Sequence, residues 1–595
     1  MMNHKKERES GWLWLLGVLL IWCAGAAWLL WTHRNGIAAL ALRDTDDNMR
    51  LQQVRDWLSG QPWFDLRQHR LDPPFGANIH WSRLVDLPLA GLIVIGRLFT
   101  ATPGAERFAT AVAPLLPMAV AMVAVSAMAR RLVSPQAWPL PPALLLCAPM
   151  TVAMMSPLRI DHHGWQIALL LVMLLGVLTR RQVAGGLLAG VALGLSLAIG
   201  IELLPYLAFT ATMVTLLWAA DRTEAPRLAA FGAAAAGATS FSLIVFVPPP
   251  VRMVAYCDAL SIAHVQAIAL GGAGALLLAM LPVRNGWVRL GAVLALGGAV
   301  ILFTWLRHPQ CVGDPSALIN PEARRLWLVN VREARPIFKQ SMIVQVSTLA
   351  LPVAAMFGLG FGLWQSRGDV AQLRRWIAIG LVQTFGLGFC FFQTRAAPAA
   401  QALAVPGATM LLWGLIGLAM RSRFMLARVG LATGVFLLIS GLGPAWLARK
   451  LPQARQSVQT RRVNIANWRC ATISAMRPLN TIPPATMFTF LDLSPRLIVL
   501  THHSAIAGPY HRNGRAIADV MKMWGGTPEQ AHPIVLKYHA QYLLLCPGTA
   551  EATIYAKRAP EDGMYSLLVA GRQPDWLQPV PLPSSTPYRL FRVTG

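Results

Sequence analysis

The feature that most constrains this chain is a succession of apolar segments, each long enough for a membrane helix, joined by short basic connections. Of its 595 residues, 55% are hydrophobic and only 13% are charged. A soluble globule of this size needs more polar surface, so the composition predicts a mainly α, polytopic membrane protein. Thirteen segments are predicted to cross, at about 11–31, 107–129, 138–157, 165–179, 183–199, 201–219, 227–247, 259–282, 288–306, 343–364, 376–392, 399–419 and 425–446.

The positions of the basic residues orient these crossings. Lys5, Lys6 and Arg8 precede the first segment, so the positive-inside rule places the N-terminus in the cytoplasm. Thirteen crossings then put the part from about Ala448 outside, which predicts a multi-pass protein of a bacterial inner membrane with a periplasmic C-terminal domain. The predicted cytoplasmic connections carry Arg130-Arg131, Arg180-Arg181, Asp221-Arg222, Arg284, Arg367, Arg374-Arg375 and Arg421.

The first apolar segment is expected to be retained, because it is too long for a signal-peptide core and lacks a small-residue cleavage site. Segment 84–99 is not counted as a crossing, since counting it would move Arg130-Arg131 to the outer side. We expect it to form a helix in, or re-entering, the outer leaflet within a long external loop at 32–106. A true span, paired with a miscounted partner, is the alternative.

The sequence divides into a transmembrane region at 1–447 and an external domain at 448–595. Runs 496–500 and 541–545 predict buried strands and 513–524 predicts a helix, so this domain is expected to be α/β. Its two cysteines, Cys470 and Cys546, allow a disulfide without establishing one.

The net charge of +26 would suggest a nucleic-acid partner in a soluble protein. Here many of the basic residues lie in clusters between apolar segments, so anionic membrane lipid is the expected partner and nucleic acid is not. The seven cysteines show no CxxC motif and no spacing suited to zinc.

Four polar clusters lie on the outer face under this topology. They are Asp44, Asp46 and Asp47; Arg159-Ile160-Asp161-His162-His163; Arg332-Glu333-Ala334-Arg335-Pro336; and Arg395. Carboxylates and an imidazole from separate loops are ligands for Mg²⁺ or Mn²⁺ that leave positions for phosphate oxygens. Structural alternatives stay open: the first two clusters as caps of the helices that follow, and Glu333 in a surface ion pair.

Taken together, these residues resemble the catalytic subunit of oligosaccharyltransferase, a membrane glycosyltransferase of the GT-C fold. The motifs that carry the resemblance, in order, are Asp46-Asp47-Asn48-Met49-Arg50-Leu51; Pro74-Phe75-Gly76 with Trp81-Ser82-Arg83-Leu84-Val85-Asp86; Asp161 with His163; and Val331-Arg332-Glu333-Ala334-Arg335-Pro336. The thirteen spans and the external C-terminal domain also fit the family's plan.

The resemblance implies that Asp46, Asp161 and His163 hold a divalent metal, which binds the phosphate of a polyprenyl-linked sugar donor. Glu333 would approach the acceptor and complete the metal site, and Asp46 would orient the acceptor nucleophile or accept its proton. Arg395 resembles the arginine that steadies the leaving pyrophosphate, a role suited to its planar fork. Auxiliary candidates are Asp44, Asp47, His162, His80, Asp492, His502, His503 and His511.

One departure from the family concerns the acceptor. Protein-glycosylating members carry a Trp-Trp-Asp-Tyr-Gly-like motif that recognises the Ser or Thr of an asparagine acceptor sequence, whereas this chain has Phe490-Leu491-Asp492-Leu493-Ser494. We therefore expect an envelope glycan, a lipid or a non-asparagine protein site as acceptor. The histidines of the next segment, His502, His503 and His511, either bind acceptor or a second metal, or are satisfied within the domain.

A transporter or flippase of lipid-linked sugars is the main alternative, because many spans and a midplane cavity also serve transport. Such a protein should show ionisable or Gly/Pro-broken positions deep within spans, and repeated halves. The polar clusters here lie instead at the outer ends of spans, which favours glycosyl transfer. A scaffold whose enzyme site has decayed is a third hypothesis.

Overall fold

The structure is a computed structural model that describes residues 2–313, 319–330, 335–451 and 457–594. Helices make up most of the chain before residue 451. They are α1 (Met2–Ala38), α2 (Thr45–Leu58), α3 (Arg83–Arg97), α4 (Thr102–Val112), α5 (Leu115–Leu132), α6 (Leu140–Leu146), α7 (Pro149–Ala153), α8 (His163–Leu178), α9 (Gln182–Ile199), α10 (Leu204–Ala220), α11 (Ala225–Phe246), α12 (Ile262–Met280), α13 (Gly286–Arg307), α14 (Pro321–Leu326), α15 (Met342–Gln365), α16 (Val370–Cys390), α17 (Ala397–Ala419), α18 (Met425–Ile439) and α19 (Leu442–Lys450).

Each predicted crossing coincides with one or more of these helices, so the polytopic helical prediction is confirmed. Within the described ranges, 8 helices are long and apolar enough to span a membrane, or 9 if the bent pair α18 and α19 is one span. Among the other helices, α8 and α10 have only 16 and 17 residues, which rise roughly 24 to 26 Å against a bilayer core of about 30 Å, whereas α16 has 21 residues but carries Arg374 and Arg375. Prolines divide segment 138–157 into α6 and α7. The count of thirteen and its orientation stay predictions.

The uncounted segment 84–99 forms helix α3, as expected. Val85, Leu89 and Ile93 are buried on one face, while Val94 and Ile95 are exposed. At 15 residues the helix rises roughly 22 Å, too little to cross a bilayer core upright. One face of the helix therefore packs against the protein while apolar side chains remain exposed on another, and its place in the outer leaflet remains a prediction.

Helices α9 and α11 pack closely through a row of glycines. Gly186, Gly190 and Gly194 recur every four residues and so share one face of α9. A Cβ built on Gly190 would lie 2.7 Å from the backbone oxygen of Phe231 and the backbone nitrogen of Ala235. Only small residues allow two membrane helices to approach this closely.

Replacing Gly190 by Leu is expected to lower the free energy of unfolding by about 1 to 3 kcal/mol, because the new side chain must push the two backbones apart. Thermal unfolding of the purified protein in detergent measures the effect. Gly291→Leu on α13 is the matched control, since no atom lies within 4 Å of a Cβ there. Equal melting temperatures for the two variants would contradict this account of the packing.

The C-terminal part contains helices and a five-stranded sheet, which confirms the α/β prediction. Its helices are α20 (Val458–Cys470), α21 (Ile473–Met476), α22 (Ser494–Leu500), α23 (Gly514–Gly525), α24 (Pro528–Lys537), α25 (Ala552–Arg558) and α26 (Met564–Val569). The strands of the sheet are β3 (Thr486–Phe488), β4 (Ser504–Ala505), β5 (Tyr542–Leu545), β6 (Leu577–Val580) and β7 (Arg589–Val593). Two shorter strands, β1 (Arg67–Gln68) and β2 (Ala77–Asn78), pair with each other earlier in the chain, in the predicted external loop at 32–106. The strand order is β4-β3-β5-β7-β6, with β3 parallel to both neighbours and the other pairs antiparallel.

Two of the three local predictions in this part are right. Run 541–545 contains β5 and run 513–524 lies on α23, but run 496–500 belongs to helix α22. Pro495 in the first turn favours a helix start. The run is buried almost throughout, and hydrophobic periodicity cannot separate a buried strand from a buried helix.

The segment at 32–106, which is the predicted first external loop, shares a hydrophobic core with the C-terminal part. Met49, Leu71 and Trp81 are buried in one cluster with residues of the sheet. The backbone N–H of Asp72 also donates to Ala505 beside β4 at 2.9 Å. The loop thus fixes the position of the C-terminal part over the helices, and the division at 447 and 448 stays a prediction.

Two disulfides join external segments of the predicted topology. Cys470 and Cys546 are linked, the pairing that the sequence left open, and Cys257 is linked to Cys311, a pairing that was not predicted. Disulfides persist in oxidising compartments. Their positions agree with the predicted outer face.

Candidate functional site

The acids of the first external loop begin helix α2. Asp44 is its N-cap and accepts the N–H of Thr45 at 2.6 Å, and Asp47 accepts the N–H of Asp44 at 3.0 Å. The capping alternative is therefore right for Asp44 and Asp47. Asp46 is half-buried and takes no part in this capping box, so its carboxylate is left for other chemistry.

Arg159 joins this helix start to the segment before α8. Its guanidinium donates to Asp44 at 2.7 Å and Asp47 at 3.3 Å, and pairs with Asp161 at 2.6 Å. Asp161 also donates its backbone N–H to Asp47 at 3.0 Å. The Arg159 side chain is only 10% exposed, so this ion-pair network fixes two distant loops against each other.

The carboxylates of the site differ in pKa. Burial, followed by the charges of Asp44 and Asp161, raises the pKa of Asp46 to about 7, against the opposing charges of Arg159 and Arg395. Burial also acts to raise the pKa of Asp161, but the charges of His163 and Arg159 outweigh it and lower that pKa to about 2. Asp161 is thus a permanent anion, and Asp46 exchanges a proton near neutral pH.

Three of the four predicted metal ligands, Asp46, Asp161 and His163, lie near one another. His163 Nε2 is 4.0 Å from Asp161 Oδ2, and the charge of Arg395 acts on both Asp46 and His163. Glu333 lies outside the described residues. The possible ligand atoms of Asp46, Asp161 and His163 are not all within 4.8 Å of one another. Among the described residues, one group of three does have its ligand atoms this close together, namely His80, Asp258 and His511.

A cavity of about 300 Å³ is lined in part by Glu202, on which the charges of His162, His163 and Arg395 act. Its lining includes Trp81, Tyr256 and Glu202. Glu202 binds His162 Nε2 at 3.1 Å and accepts a hydrogen bond from Gln166 at 2.8 Å. Glu202 was not predicted, although an acid in a turn between two apolar segments, at their predicted outer end, was a usable signal.

The C-terminal part places two polar residues next to the acids. Burial and the charge of Asp44 raise the pKa of Asp492 to about 6, and the Tyr510 hydroxyl donates to the carbonyl of Thr45 at 3.0 Å. Glu551 accepts the backbone N–H groups of Leu491 and Asp492, each at 2.8 Å, and so orients the turn that carries Asp492. Tyr510 and Glu551 were not predicted.

The histidines of the C-terminal part divide into two groups. A ring nitrogen of His502 bonds the carbonyl of Ile482 at 2.7 Å, and one of His503 bonds that of Leu479 at 2.8 Å. One ring nitrogen of each is thus bonded within the domain, in line with the structural alternative, and a ligand role for these two histidines stays a prediction. His511 instead contacts Asp258 in the loop between α11 and α12.

No protein-family model matches this sequence, and no curated protein is similar enough in sequence to match it. Solved structures do match. Oligosaccharyltransferase AglB from Archaeoglobus fulgidus, in complex with an inhibitory peptide and a dolichol-phosphate, is 13% identical with a TM-score of 0.65, over 94% of this chain and 72% of that chain. An Archaeoglobus fulgidus oligosaccharyltransferase tethered to an acceptor peptide with the NVT sequon is 14% identical with a TM-score of 0.64, over 98% and 75%.

A complex of an Archaeoglobus fulgidus oligosaccharyltransferase with Zn and sulfate is 13% identical with a TM-score of 0.60, over 92% and 70% of the two chains. These matches cover nearly the whole of this chain at low identity, so what they establish is the fold. The chain has the GT-C fold of membrane oligosaccharyltransferases, as its motifs indicated.

Proposed function

We propose that this chain is a metal-dependent membrane glycosyltransferase. It moves a sugar or oligosaccharide from a polyprenyl-phosphate or polyprenyl-pyrophosphate donor to an acceptor at the outer face of a bacterial inner membrane. The observation that carries the proposal is the meeting of Asp46, Asp161, His163 and Arg395 at one site, although three separate segments supply them. A fold alone does not define an activity, whereas such a site supports one.

The residues fit a divalent cation by their chemistry. Carboxylate oxygens of Asp46 and Asp161 with an imidazole of His163 suit Mg²⁺ or Mn²⁺. A bound cation would also relieve the repulsion among acids that raises the pKa of Asp46. Side-chain rotations are needed to bring the ligand atoms together, because they are not all within 4.8 Å of one another. An Archaeoglobus fulgidus oligosaccharyltransferase with this fold forms a complex with Zn and sulfate, which supports a divalent metal for this chain.

When bound, the ion would supply Lewis-acid stabilisation of charge on the donor phosphate. Transfer forms a bond between the acceptor nucleophile and the anomeric carbon and breaks the bond from that carbon to the phosphate oxygen. Asp46, with its pKa near neutrality, orients the acceptor hydroxyl or takes its proton. Arg395 donates hydrogen bonds to the departing phosphate, and Arg159 holds Asp161 in position.

The acceptor is proposed to be an envelope glycan or lipid. Phe490 and Leu491 are 1% exposed, and Phe490 packs edge-on against Trp524 at 5.0 Å inside the domain. These two residues therefore offer no aromatic surface to a peptide, and Asp492 is left as the polar group of this turn next to the acids. A hydroxyl of a sugar or lipid headgroup suffices for such a site.

Affinity for Mn²⁺ is expected to weaken about tenfold for each pH unit below 7. The pKa of Asp46 is raised to about 7 in the folded protein, so below that pH its carboxyl is protonated and the proton competes with the cation. Calorimetric titration between pH 5.5 and 8.5 measures the slope. In the Asp46→Asn variant, the part of the pH dependence that Asp46 causes should vanish. A wild-type Mn²⁺ affinity that does not change with pH would contradict the assignment of Asp46 as a metal ligand.

Mass spectrometry of envelope fractions tests the function. Deleting the gene should remove a sugar-modified glycan or lipid, and the wild-type gene, but not the Asp46→Asn variant, should restore it. An unchanged glycolipid profile with missing protein-linked glycans would overturn the acceptor assignment. Unchanged profiles in all fractions would overturn the transferase proposal.

A further inference from the structure

We propose that His80, Asp258 and His511 form a second divalent-cation site, suited to Zn²⁺, that fastens the C-terminal part to two external loops. Their ligand atoms all lie within 4.8 Å of one another. Three separate segments supply them: the loop before α3, the loop between α11 and α12, and the turn before α23. The proposal goes beyond glycosyl transfer and does not depend on it.

The geometry is close to that of a zinc site. His511 Nε2 lies 2.7 Å from Asp258 Oδ2, and the rings of His80 and His511 are 4.8 Å apart between centroids. Tetrahedral zinc with bonds of about 2.0 to 2.2 Å separates its ligand atoms by roughly 3.3 to 3.6 Å. Small side-chain rotations would give this arrangement, by lengthening the distance between His511 and Asp258 and by bringing the His80 ring closer to both.

The donor set distinguishes this site from the acids of α2. Two imidazoles and one carboxylate are typical zinc ligands, whereas Mg²⁺ prefers oxygen ligands and retains water. Three protein ligands leave a fourth position for water or another group. His80 and Asp258 both line the cavity of about 300 Å³, so that position would open toward it.

Neighbouring groups hold Asp258 in place. Arg512 Nε donates to its Oδ2 at 2.6 Å, and Arg512 Nη2 donates to its Oδ1 at 2.8 Å. A carboxylate has about four acceptor positions, so both oxygens keep capacity for a cation. Hydrogen bonds of this kind orient metal-binding carboxylates, and the disulfide of the adjacent Cys257 with Cys311 fixes the same loop. A purely structural ion pair between Arg512 and Asp258 would need neither histidine.

Zinc content of the full-length protein tests the proposal. The chain is purified in detergent, stripped with a chelator and dialysed against Zn²⁺ in excess Mg²⁺, so that Mg²⁺ occupies the site at Asp46. Elemental analysis should give about one zinc per wild-type chain. His80→Gln and His511→Gln should each weaken zinc binding by about tenfold or more, comparable with the loss of a supporting ligand interaction.

His502→Gln is the matched control, because this histidine lies in the same part of the chain and its ring bonds the carbonyl of Ile482. It should bind zinc as the wild type does, and so should Asp46→Asn. If the wild-type protein lacked transferase activity but still bound zinc, the proposed function would be rejected and the zinc-site proposal would not.

Wild-type protein that binds no zinc would overturn the proposal, as would a His80→Gln, His511→Gln double variant with undiminished zinc. X-ray absorption at the zinc edge of the wild-type protein gives a measurement that does not depend on how the variants fold. It should show two imidazole ligands, and a spectrum without imidazole would overturn the assignment.

Discussion

Replacing Asp46 by Asn is expected to lower sugar transfer by about 100-fold or more. The change removes a metal ligand and the group that orients or deprotonates the acceptor, while keeping the size of the side chain. It should not destabilise the fold, because burial and the neighbouring acids already disfavour the charged form of Asp46, whose pKa they raise to about 7. Transfer from a polyprenyl-linked donor by the purified variant, at saturating Mn²⁺, measures the loss.

Asp562→Asn is the matched control for this prediction. Asp562 is exposed on the C-terminal part, so the same chemical change there should leave transfer unchanged. The melting temperatures of both variants should equal that of the wild type. An Asp46→Asn protein that transfers sugar at the wild-type rate would remove Asp46 from the mechanism.

Replacing Arg159 by Met is expected to cost about 3 to 5 kcal/mol of folding free energy and to abolish transfer. Arg159 is 10% exposed and pairs with Asp44, Asp47 and Asp161. Its removal leaves two buried carboxylates, those of Asp47 and Asp161, without their cationic partner. Denaturant unfolding of the external region, followed by limited proteolysis of the first external loop, measures the loss.

Arg181→Met provides the comparison, because Arg181 is exposed at the start of α9. That variant should unfold at the wild-type denaturant concentration. High Mn²⁺ should partly rescue Arg159→Met, since a cation bound by Asp161 supplies some of the missing positive charge. Wild-type stability in Arg159→Met would show that the network has little energetic weight.

The sequence predicted the helical architecture because hydrophobic segments and basic connections are local signals. It also brought Asp46 and Asp161 together, because a shared membrane level restricts where loops can meet. The number of spans is harder to predict from the sequence. Prolines divide α6 from α7, and α8 and α10 are too short to count by length alone.

The parts of the site that the sequence did not predict depend on tertiary contacts. No spacing rule pairs Asp258 with His511, which are 253 residues apart. The role of Glu551 likewise depends on backbone groups 60 residues away. The sequence of helix α22 predicts a strand because the helix is buried on nearly every side, so its apolar residues show no helical periodicity. Glu202 and Asp258 did have a local signal, because each is an acid at the junction of two apolar segments.

Electron paramagnetic resonance of Mn²⁺ most directly tests the central claim that separate external loops bind one divalent cation. With Zn²⁺ present to fill the His80 site, the wild-type protein should bind one Mn²⁺ per chain. Asp46→Asn, Asp161→Asn and His163→Gln should each weaken that binding by about tenfold or more. Wild-type Mn²⁺ affinity in any one of the three variants would contradict the account.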